Sequence, residues 1–71
     1  MRIRLEEPTL ADDLLRVLRA QADCIVERVD DRELEAVLVG SYRDGGRDEL
    51  TRLVEEWNDR RKTKASLRIV R

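Results

Sequence analysis

Residues 34–40, Leu34-Glu35-Ala36-Val37-Leu38-Val39-Gly40, form the most apolar continuous run of the chain and carry β-branched valines at two positions. Read with period two, Leu34, Ala36 and Leu38 share one face, while Glu35, Val37 and Val39 share the other. Both faces carry apolar side chains, so the run predicts a strand inside a sheet rather than at its margin.

The residues before it, Asp30-Asp31-Arg32-Glu33, make a short polar bend. Four residues suit a hairpin built on a type I turn, which makes Cys24–Val29 the antiparallel neighbour of the 34–40 strand. Three consecutive apolar residues, Cys24, Ile25 and Val26, leave the inward face of that neighbour open. Further upstream, Leu10, Leu14, Leu18 and Ala22 recur at helical spacing and predict a helix over 10–22, with Asp12, Asp13, Arg16, Arg19 and Gln21 toward water. Thr9 and Asp12 make a capping-box-like start after Pro8, and Asp12 is spaced to pair with Arg16. Residues 2–6 alternate, with Ile3 and Leu5 on one side and Arg2, Arg4 and Glu6 on the other, which predicts a half-buried first strand.

Downstream of Gly40, residues 41–46 read as a loop or helix entry. Leu50, Leu53, Val54 and Trp57 then define the apolar stripe of a second helix over 45–62, laced by the i, i+4 pairs Asp48–Arg52 and Glu56–Arg60. Arg60-Arg61-Lys62 suit the negative end of its dipole. Thr63 and Lys64 turn the chain into a last strand over 65–70, with Leu67 and Ile69 inward.

The resulting order, βαββαβ, resembles the ferredoxin-like split βαβ sandwich. That resemblance implies an α+β fold in which a four-stranded antiparallel sheet has its first and third strands central and both helices on one face. Residues 1–71 are expected to form a single domain, and a domain of this size buries only about 60% of the surface of its unfolded chain. Oligomerisation is a common supplement at that size.

One cysteine and no histidine exclude a disulfide within the chain and a zinc site of nitrogen and sulfur ligands. The formal charge is −1, so no net electrostatic pull toward nucleic acid or a membrane surface follows. No apolar run approaches the roughly 18 residues of a spanning helix, and nothing reads as a targeting segment, so the expected address is cytoplasmic. Thirteen arginines against two lysines point to a GC-rich coding background rather than to a function.

Several chemistries lack their residues. Arg2 stands where a small tautomerase needs its proline amine, and Cys24 has no second cysteine to make a heavy-metal loop. No histidine is present to serve as a general base or to activate a nucleophile. The adjacent acidic pairs Asp12-Asp13, Asp30-Asp31 and Glu55-Glu56 diverge on a helix or sit in a turn, and read as solvation and capping. No cofactor is expected.

Two local features invite a binding role. Arg43, Gly45, Gly46 and Arg47 precede the second helix, where free N–H groups and two guanidinium groups suit an anion. Asp44 opposes that use; the simpler reading makes Asp44 a helix cap and the glycines a tight turn. The second feature is the uncovered sheet face, expected to carry Arg2, Arg4, Glu35, Val37, Val39, Ser66, Arg68 and Val70, with either Ile25 and Val29 or their neighbours. Of these, Arg2, Arg4, Val37, Val39, Arg68 and Val70 are the candidate interface residues. Base-stacking sheets need aromatic side chains, and Tyr42 and Trp57 both fall off the sheet, which disfavours nucleic acid.

The expected function is a non-enzymatic interaction module, a homodimer or a partner of another protein, that associates through its open face or an edge strand. A second reading is a small-ligand regulatory domain: the topology resembles the amino-acid-binding ACT modules, although Glu7-Pro8-Thr9 replaces their usual glycine. Nucleic-acid binding through Arg2, Arg4 and Arg68 comes third.

Overall fold

The computed structural model describes residues 1–40, 46–61 and 66–70. Its elements are β1 (Arg2–Leu5), α1 (Pro8–Arg19), β2 (Cys24–Asp30), β3 (Glu33–Leu38), α2 (Arg47–Asp59) and β4 (Leu67–Val70). The strands form one sheet in the order β2-β3-β1-β4, each antiparallel to its neighbours. The chain is thus an α+β protein, with two helices and an open four-stranded sheet among the described residues.

Strand alternation builds the core. Ile3, Leu5, Val26, Leu34, Ala36 and Leu38 are buried together with Leu10, Ala11, Leu14 and Leu18 of α1 and Leu50, Val54 and Trp57 of α2. Both helices therefore bury their apolar stripes in the same cluster, and the described residues leave the other side of the sheet uncovered. No polar or charged residue among those described is buried.

Helix α1 begins two residues earlier than the spacing predicted and ends three earlier. Pro8 takes the first helical position, where a missing N–H costs nothing and the ring presets φ. The N-cap is thus Glu7 rather than Thr9, in extended conformation, and its carbonyl accepts from the N–H groups of Leu10 and Ala11 at 3.1 and 3.3 Å. Ala22 falls beyond the helix and is exposed. Helix α2 is also shorter than expected, and its N-cap is Gly46, not Asp44, which lies outside the described residues.

The polar bend is tighter than four residues. Asp30 and Glu33 belong to the strands, Asp31 and Arg32 connect them, and the Asp30 carboxylate accepts the Arg32 N–H at 2.8 Å. A β-bulge between Arg28 and Asp30 adds one residue to β2. The inward face of β2, open on sequence grounds, is that of Cys24, Val26 and Arg28, which pair with Leu38, Ala36 and Leu34.

Candidate functional site

The register places the open-face residues in rows. Ile25 lies opposite Val37. The next row runs Glu27, Glu35, Arg2, Val70, and beyond it Glu33, Arg4 and Arg68 stand side by side. Ile25 and Val37 are 53% and 37% exposed, and Val39 follows at 46%. Arg2, Arg4, Val37, Arg68 and Val70 therefore share this surface as the alternation predicted, with Val39 continuing it past the end of β3. Ile25 and Glu27, rather than their neighbours, represent β2 there, while Val29 stands at the bulge without a register partner in β3 and is 45% exposed.

The charges are sorted by strand. Acidic groups occupy the β2–β3 half and arginines the β1–β4 half. Along the β1–β3 seam they meet: Arg4 donates to Glu33 at 2.7 Å, and Arg2 lies 3.5 Å from Glu35 and 3.7 Å from Glu33. These pairs are exposed, so each contributes at most about 1 kcal/mol. Glu27 and Arg68, on the flanking strands, have no ion pair among the described residues.

At one end of this face, Met1, Arg2, Glu35, Arg47 and Val70 line a concavity of about 430 Å³. It brings one residue of the predicted anion site, Arg47, toward Arg2, with Glu35 between them in charge. Gly46 has no ligand role in that geometry: it is buried against Leu38. Arg43 and Gly45 lie outside the described residues.

Sequence spacing missed two polar anchors. Asp13, read as solvated, accepts from the Trp57 indole N–H at 3.0 Å and from Arg61 at 2.9 Å, joining α1 to the far end of α2. The Arg61 guanidinium also lies over the Trp57 ring, 5.0 Å from its centroid. Arg28 reaches from β2 to the Asp12 carboxylate and the Pro8 carbonyl on α1, and to the Asp31 carbonyl in the turn. Asp12 is thus committed to Arg28, and Arg16 lies near Asp13 instead. Both anchors are contacts between elements, to which periodicity within one helix is blind; the apolar position of Trp57 and the aspartate tandem were the only hints.

Cys24 is half-buried on the helix-facing side of β2, and burial pushes its thiol up from the ordinary 9.0. That is the reverse of what an activated nucleophile needs. Among the described residues, no group of three or more His, Cys, Asp or Glu side chains is placed to hold a metal ion. No helix among them is long and apolar enough to cross a membrane. Comparison with known proteins found no matching family model, no matching curated protein and no matching solved structure.

Proposed function

We propose that this chain is a ferredoxin-like, non-enzymatic interaction module of the cytosol that associates with a second copy of itself through the open face of its sheet. The observation that carries the reading is the Ile25–Val37 cross-strand pair, exposed together with Val39 on a side that neither helix covers. A contiguous apolar cluster rimmed by charge suits a protein contact better than solvent. The face is preferred to an edge because the longest edge strand, β2, carries a bulge and a strapped arginine, both of which oppose lateral pairing.

Sedimentation velocity over a concentration series tests this. The protein is expected to dimerise in the micromolar range, and Val37→Lys to leave a monomer with unchanged circular dichroism. A wild-type chain that stays monomeric at every concentration rejects the proposal.

The concavity beside Arg2 and Arg47 favours a second reading, an amino-acid-binding domain of ACT type, because two guanidinium groups and the Glu35 carboxylate match a zwitterion. Saturation at about a hundredfold over the dissociation constant would stabilise the fold by about 2.7 kcal/mol. A panel of amino acids that leaves the melting temperature unmoved removes that reading.

A further inference from the structure

We infer that the second copy docks about a two-fold axis lying parallel to the strands, so that the acidic β2–β3 half of one copy covers the basic β1–β4 half of the other. This rests on the self-association proposed above and supplies its geometry.

The sheet holds two like-charge mismatches on its open face. Glu27 stands directly opposite Glu35 across β2 and β3, and Arg4 stands directly opposite Arg68 across β1 and β4. Like charges at such positions destabilise a sheet, and here they are of opposite sign on opposite flanks. Only the central seam is neutralised internally, by Arg2 and Arg4 with Glu33 and Glu35. A single copy therefore keeps surplus negative charge along β2 and surplus positive charge along β4.

A face-to-face pair can satisfy both surpluses at once. Rotation by half a turn about an axis running along the strands exchanges the two flanks, setting β2 over β4 of the second copy and β3 over its β1. An axis in the same plane but across the strands would set β2 over β2 and bring Glu27 toward Glu27 and Arg68 toward Arg68. Charge complementarity selects the first arrangement and disfavours the second. It also carries Val70 of each copy toward the strand that bears Ile25. Aligned sheets pack in this way with their strands inclined by about 30°.

Charge reversal on each flank is the test. Glu27→Lys and Arg68→Glu are each expected to weaken dimerisation by about tenfold. An equimolar mixture of the two variants, or both changes in one chain, is expected to return the dissociation constant to near the wild-type value. Each single change also relieves an internal like-charge pair, so the melting temperature of the diluted monomer is expected to hold or rise. A loss of dimer therefore cannot come from a loss of fold. A dimer that Val37→Lys abolishes but neither charge reversal alters overturns the axis and leaves self-association standing. A wild-type monomer at all concentrations overturns both.

Discussion

Gly46 is the most constrained residue of the described chain. Its φ of +76° lies in the left-handed region, and a Cβ built on it would stand 2.5 Å from the Leu38 side chain. Gly46→Ala is expected to cost about 2–3 kcal/mol, from backbone strain and overpacking together. Gly40, with a φ of +114° and open space around it, tests the first component alone, and Gly40→Ala should cost less. Urea denaturation of both variants measures the difference. Asp13 is a second sensitive position. Asp13→Ala strands the Trp57 indole N–H and frees Arg61, for an expected loss of about 1–2 kcal/mol, while Asp13→Asn, which can still accept from the indole, should lose less. Cys24 contributes to the loss of stability at alkaline pH. Its pKa is raised on folding, so the unfolded chain releases the thiol proton first and stability falls as pH climbs through and above 9.0. Melting curves from pH 7 to 10 are expected to be flatter at the alkaline end for Cys24→Ala.

The β2–β3 hairpin and α1, packed in one apolar core, are also tied together by one polar side chain. Arg28 joins the start of α1, the turn at Asp31 and its own strand, so Arg28→Ala is expected to destabilise the fold by about 1–3 kcal/mol. Hydrogen exchange should locate the damage in β2 and the first turn of α1, with the β1–β4 ladder retained; uniform loss of protection would contradict this. What was legible in the chain follows the same division. The existence and order of all six elements could be read from the Leu10-Leu14-Leu18 and Leu50-Val54-Trp57 stripes, the alternation at 2–6 and 34–38, the apolar run at 24–26 and the spacing of Leu67 and Ile69, because apolar periodicity is a local record of burial. Boundaries were less legible: Thr9 reads as the helix cap until Pro8 is placed in the first helical turn, and Asp30 and Glu33 read as loop until the ladder claims them. The open-face residues of β1, β3 and β4 followed from alternation alone, whereas those of β2 did not, because Cys24, Ile25 and Val26 run consecutively. Their sorting by charge did not, because it depends on which strands are neighbours and on the register that sets Glu27 against Glu35.

For the molecule as a whole, the uncovered face is small. Four strands spaced about 4.8 Å apart and about five residues long on average give a footprint of roughly 19 by 17 Å per copy, below what stable specific complexes bury and in the range of weak, transient ones. Association through it should be modest and salt-sensitive, weakening as sodium chloride rises from 0.05 to 0.5 M, where screening shortens the reach of the flanking charges. Sedimentation equilibrium at the two ionic strengths measures that change. The extra residue in β2 bears on a different hazard. β2 is the longest strand of the sheet and lies at its rim, the place where a neighbour's backbone could add and invite another in turn. With Val29 out of step and Arg28 tied back to α1, that rim offers no even row of amides to copy. An irregular rim of this kind opposes lateral accretion along β2, so filament growth would have to start from the four-residue rim of β4 instead.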